Sequence, residues 1–120
     1  MYEDITISKF VKQQFDLSGC NAIITGGAGF LGVQFAETIA EMGGIPILVD
    51  IDKNSLDNAQ NKLNSAGYSN SISYLVDITD EKKCQSVFQK IWDENKTIDI
   101  LINSAALTSS GIQKKNNSFF

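Results

Sequence analysis

The 120-residue sequence contains no arginine and no histidine; its ten basic residues are all lysine. Without imidazole there is no Ser-His-Asp triad, no histidine acid/base catalysis and no histidine-ligated metal. A formal charge of −4 opposes a phosphate backbone, and the lysines are scattered apart from Lys82-Lys83 and Lys114-Lys115, so nucleic acid is not an expected partner. The only two cysteines, Cys20 and Cys84, lie 64 positions apart, without the spacing of a metal knuckle or redox pair, and read as reduced thiols. No apolar stretch approaches the roughly 18 to 20 residues needed to cross a bilayer, and the acidic start (Tyr2, Glu3, Asp4) carries no secretion signal. A cytoplasmic address without membrane contact is the expectation. What is present, 42% hydrophobic and 20% charged residues, belongs to a globular chain of one domain.

Residues 1–21 form a polar lead-in, an N-terminal packing arm in which Ile7, Phe10, Val11 and Gln14 have weak helical spacing and Phe15 and Leu17 approach the first strand. From Ala22 to Asn103 short apolar runs alternate with longer amphipathic stretches, the pattern of parallel β-α-β units. The runs 22–25, 45–49, 72–76 and 98–102 are rich in β-branched residues and apolar on both faces, which suits strands covered by helices on each side. Between them, Leu31, Phe35, Ile39 and Met42 make one helical stripe ended by Gly43-Gly44, and Leu56, Ala59, Leu63 and Ala66 a second ended by Gly67. The third stripe, Cys84, Val87, Phe88, Ile91 and Trp92, makes Cys84 a core residue.

Right-handed crossovers then give an α/β fold: a partial Rossmann-type doubly wound parallel sheet, strand order 3-2-1-4, with helices on both faces. Residues 22–106 would be an incomplete domain of this kind, and 107–120 a polar tail or the start of a missing second half. The open edge of the fourth strand invites pairing with a second copy, a homo-oligomer through the sheet edge.

The run Thr25-Gly26-Gly27-Ala28-Gly29-Phe30-Leu31-Gly32 falls where the first strand turns into the first long helix. A pyrophosphate reaches amides at a helix N-terminus only where side chains are absent: Gly26 permits the tight turn, Gly29 the close approach, and Gly32 the packing of the helix. Phe30 and Leu31 begin that helix and join the cofactor-binding set. Eighteen residues beyond Gly32, Asp50 ends the second strand, followed by Ile51. Its carboxylate can accept from both adenosine ribose hydroxyls and would repel a 2′-phosphate, which favours NAD over NADP. Asp52 reads as a helix N-cap, and Thr79 or Asp80 as another. Asp77, at the carboxyl edge of the sheet, can accept from the adenine amine while the Ile78 amide donates to the ring.

Together these residues resemble the short-chain dehydrogenase/reductase family, over roughly residues 15–106. The lead-in Phe15-Asp16-Leu17-Ser18-Gly19, the glycine loop, Asp50, the Asp77-Ile78 pair and Asp99-Ile100-Leu101-Ile102-Asn103-Ser104-Ala105-Ala106 carry the resemblance. Where the family usually reads Asn-Asn-Ala-Gly, Asn103 and Ala105 match, whereas Ser104 and Ala106 depart. The resemblance implies that Asn103 supports the sheet and the adenosine side, and that Ala105-Ala106 line the nicotinamide-side ribose. The spacing Thr-Gly-x-x-Gly-x-x-Gly is similar to the extended, epimerase-like branch, while the lead-in and the fourth strand resemble the dehydrogenase branch, which two separate segments favour. The family's catalytic Tyr-x-x-x-Lys is absent, because Tyr2, Tyr68 and Tyr74 are followed four residues later by Thr6, Ile72 and Ile78. Ser109 and Ser110 follow the fourth strand too soon to be its catalytic serine and read as loop residues. The resemblance therefore implies the NAD-binding portion of a short-chain oxidoreductase passing hydride between nicotinamide and a carbonyl or alcohol, truncated and inactive alone, with no catalytic residue and no metal. The alternatives are a non-catalytic nucleotide-binding or assembly module, an extended-type nucleotide-sugar epimerase or dehydratase fragment, and, more remotely, a methyltransferase.

Overall fold

A computed structural model describes residues 6–106. The readings made for 107–120, including Ser109, Ser110 and Lys114-Lys115, and for residues 1–5 of the arm lie outside the described residues. The elements run α1 (Lys9–Gln14), β1 (Asn21–Thr25), α2 (Phe30–Glu41), β2 (Ile45–Asp50), α3 (Lys53–Ser65), β3 (Ile72–Leu75), α4 (Glu81–Asn95) and β4 (Ile100–Asn103). All strand pairs are parallel, and the sheet order is β3-β2-β1-β4. The expected order 3-2-1-4 is therefore found, with helices on both faces. No helix among the described residues is long and apolar enough to cross a membrane.

Each strand divides its side chains between two cores, as the two-residue period of a strand requires. Ile24 and Leu48 meet Val33 and Ala36 of α2 and Leu56, Ala59 and Leu63 of α3 on one face. Ile23, Ile47 and Val49 meet Tyr74, Val76 and Ile91 of α4 on the other. The caps fall where side-chain chemistry places them: Asp52 accepts from Ser55 N–H at 3.1 Å and Asp80 from Lys83 N–H at 3.1 Å. Gly43 and Gly67 stop α2 and α3 with φ of 89° and 94°, left-handed values that suit glycine.

Three local expectations are corrected. The α2 stripe is buried at Gly32, Val33, Ala36, Ile39 and Ala40, whereas Leu31 and Phe35 face outward. Small residues bring the helix axis close to β1 and β2, and larger side chains do not fit beneath it. On α4 only Ile91 is fully buried; Cys84 is half-buried and not a core residue, and Trp92 is 50% exposed. That helix rests on the sheet along one ridge, and no described element closes over its flanks. Of the described part of the arm only the end packs: α1 has no buried residue, and Ile7, Phe10, Val11 and Phe15 are exposed, whereas Leu17 N–H donates to Met42 O at 2.9 Å beyond the end of α2.

Two polar clusters tie the edges of the sheet. β1 begins at Asn21, one residue before Ala22; its side chain donates to Thr97 O at 3.1 Å and Thr97 Oγ1 at 2.9 Å, while its amide donates to Asp99 Oδ2 at 2.8 Å. These bonds set β4 alongside β1. On β3, the Tyr74 hydroxyl donates to the Glu94 carboxylate, and Lys90 lies 5.9 Å from the centre of the ring. Burial, followed by the hydrogen bond to that carboxylate, pushes the Tyr74 phenol above its usual value.

Candidate functional site

Parallel pairing puts the carboxyl ends of all four strands on one edge, with Thr25 level with Val49 and Asn103, and Asp50 level with Leu75. The segments leaving those ends surround a cavity of about 490 Å³. The strand order reverses between β1 and β4, since β2 and β3 lie on one side of β1 and β4 on the other, and such a switch point is where open α/β sheets hold ligands.

Ten of the eleven residues singled out from the sequence line this cavity: Gly26, Gly29, Phe30, Leu31, Gly32, Asp50, Ile51, Asp77, Ile78 and Ala105. Asn103 does not; it ends β4 opposite Thr25 with its side chain exposed. Val49, Val76, Thr79, Ser104 and Ala106 complete the lining. Of these, Thr79 carried a readable signal. A threonine two residues after an aspartate closes a side-chain turn, and Asp77 Oδ1 accepts from Thr79 N–H at 2.9 Å and from its hydroxyl at 2.6 Å.

The glycines divide the work differently from the sequence reading. Gly26 turns with φ of 63°, and a Cβ there would sit 2.8 Å from Ala105 Cα, so the β4 exit passes against a bare backbone. The Ala105 amide donates to Thr25 Oγ1 at 3.3 Å, fixing that approach. Gly32 packs onto the loop itself and not onto the sheet: its Cβ would fall 2.1 Å from Gly26 O. Sheet contact belongs to Gly27, which the sequence reading did not single out; a Cβ there would meet Ile24 O at 2.8 Å and Leu48 Cα at 2.9 Å.

The amides of the loop are bonded, and those opening the helix are not. Gly27 N–H donates to Val49 O at 3.1 Å, Ala28 N–H to Asp50 Oδ2 at 3.0 Å, and Gly29 N–H to Gly26 O at 3.0 Å. The first bond of α2 runs from Val33 N–H to Gly29 O at 3.0 Å, and Gly29 supplies no side-chain cap. The amides of Phe30, Leu31 and Gly32 consequently have no acceptor among the described residues, at the positive end of the helix dipole. Such an end attracts negative charge. The Asp50 carboxylate also lines the cavity; Lys53, the nearest lysine in sequence, is ion-paired with Asp57.

A parallel sheet in this order, with a glycine loop opening a helix and an acid ending the next strand, defines a Rossmann-type nucleotide-binding domain by architecture. The family model described as short chain dehydrogenase matches residues 20–118, and the chain belongs to that family. It is 30% identical over 92 residues to the short chain dehydrogenase/reductase dpmpG of Macrophomina phaseolina strain MS6, spanning 77% of this chain and 53% of that protein. Among solved structures it resembles an NAD⁺-bound xylitol dehydrogenase, with TM-score 0.66 and 26% identity over 71% of this chain and 32% of the other. A metagenomic short-chain oxidoreductase in complex with NADP shares the fold, with TM-score 0.71 and 22% identity over 76% of this chain and 41% of the other. The chain thus spans about half, or less, of the length of these proteins.

Proposed function

We propose that these residues form the NAD-binding portion of a short-chain oxidoreductase, residues 22–106 being the cofactor domain. The observation that carries this reading is the row of three unbonded amides, Phe30, Leu31 and Gly32, opening α2 beside Asp50. The amides hold the diphosphate without a side-chain cation. Asp50 accepts from the adenosine ribose hydroxyls, and Ile51, Ile78 and Asp77 flank the adenine. Ala105 and Ala106 border the nicotinamide-side ribose, and Asn103, at the end of β4, supports the sheet and the adenosine side.

When bound, NAD supplies hydride acceptance and donation at its nicotinamide ring. The residues of this chain bind and orient. No Tyr-x-x-x-Lys occurs in the 120 residues, so proton transfer to or from a substrate oxygen is not assigned to any of them, and the chain by itself is expected to be inactive.

NAD is preferred over NADP. A 2′-phosphate would stand against the Asp50 carboxylate, with no arginine in the sequence and Lys53 engaged by Asp57. Calorimetric titration of the 120-residue chain is expected to show NAD binding tighter than NADP by roughly tenfold or more. Equal affinities would contradict the assignment.

A further inference from the structure

We infer that Asp50 is a positioning residue for the anion-binding loop, in addition to any contact it makes with a ribose. Its carboxylate is engaged in the ligand-free chain: Oδ2 accepts from Ala28 N–H at 3.0 Å, while Oδ1 accepts from Ile51 N–H at 2.7 Å and lies 3.4 Å from Asp52 N. With Gly27 N–H on Val49 O at 3.1 Å, two consecutive loop amides are bound to two consecutive residues at the end of β2. Ala28 is further seated against the core of Ile24, Leu48 and Leu56.

α2 begins two residues beyond Ala28, so the bond to Asp50 sets the direction of the Phe30, Leu31 and Gly32 amides before any ligand arrives. A charge-assisted bond of this kind is stronger than a neutral one, and among the described residues no other acceptor serves the Ala28 amide. One acid thereby builds the cradle on one side and faces the cavity on the other. The consequence for ligands rests on the cradle proposed above; the bond itself does not.

Two variants separate position from charge. Asp50→Asn and Asp50→Ala both remove a negative charge near the anion site, which by itself would tighten binding of an anion in each. Only Asp50→Asn keeps an oxygen that accepts from Ala28 N–H. Inorganic pyrophosphate, which has no ribose, is therefore expected to bind Asp50→Ala about tenfold more weakly than Asp50→Asn, with Asp50→Asn at or above the parent affinity. In hydrogen exchange without ligand, the Ala28 amide is expected to be protected in the parent and in Asp50→Asn, and to exchange roughly tenfold or more faster in Asp50→Ala. Equal pyrophosphate affinities in the two variants would overturn the inference. So would an Ala28 amide that exchanges in the parent as fast as those of Phe30 and Leu31, a comparison that holds even if Asp50→Ala fails to fold. Because exchange needs no ligand, a protected Ala28 amide in a chain that binds neither pyrophosphate nor NAD would uphold the positioning role and remove the dinucleotide reading.

Discussion

Replacing Gly32 with alanine is expected to reduce NAD affinity at least about a hundredfold and to lower stability by roughly 1 to 3 kcal/mol. The added Cβ would lie 2.1 Å from Gly26 O, 2.8 Å from Gly27 Cα and 2.9 Å from Gly26 C. All three are backbone atoms of a loop held by its own hydrogen bonds, so no flexible side chain can yield. α2 must lift away from the loop, and the Phe30, Leu31 and Gly32 amides move with it. Calorimetry and thermal unfolding measure the two effects; for a domain of this size 1 kcal/mol corresponds to about 4 to 8 °C. The control is Gly67→Ala, where φ is 94° and nothing stands within 4 Å of the new Cβ. It is expected to cost about 1 kcal/mol for the strained conformation while leaving NAD affinity unchanged. A Gly32→Ala chain that binds NAD like the parent would remove the steric basis of the loop assignment.

Leu48→Ala is expected to cost about 2 to 5 kcal/mol, a large share of the roughly 5 to 15 kcal/mol that holds a domain folded. Leu48 is fully buried on central strand β2, among Ile24, Val33, Ala36 and the α3 leucines, and its Cα is what the bare face of Gly27 rests against. Its loss opens a cavity beneath the glycine loop. Trp92→Ala provides the contrast. By sequence Trp92 belongs to the most regular helical stripe, yet half its surface is exposed. Although more atoms are removed, the expected loss is smaller than for Leu48, because transfer and cavity costs scale with what was buried. Urea unfolding of the two variants ranks them, and a larger loss for Trp92→Ala would contradict the packing described.

The strands and their order were legible because β-branched runs, glycine stops and acidic caps all give the same signal. Ile45–Asp50 is an example: a continuous apolar run ended by an acid, read as a central strand and found between β1 and β3. The site was legible for a similar reason, since Gly26, Gly29, Gly32 and Asp50 are placed at one sheet edge by topology alone. Helix faces were less legible. On α2, Leu31 and Phe35 have the spacing of a core stripe, but the buried face carries Ala36 and Ala40 toward the sheet and Gly32 toward the loop, and their small size is itself the condition for close packing. Periodicity ranks residues by hydrophobicity and so passes over alanine and glycine.

On α4 the spacing was right and the burial was not, because burial depends on what lies opposite. The pattern of bonded and unbonded amides was hidden for a different reason. Sequence shows that glycines permit an anion to approach, but not that Gly27, Ala28 and Gly29 turn their amides inward and leave the helical ones outward. Gly27, adjacent to a glycine already explained, gave no separate signal. Asn103 was placed by family resemblance, and no observed contact brings it to the cavity.

The most direct test follows backbone amide resonances of ¹⁵N-labelled chain during titration with NAD. Phe30, Leu31 and Gly32 are expected to shift most among the loop and α2 amides, saturating together, while Ala28, already bonded to Asp50, moves less. If saturating NAD leaves those three resonances where they stood, the diphosphate does not rest on the start of α2 and the account of this site is wrong.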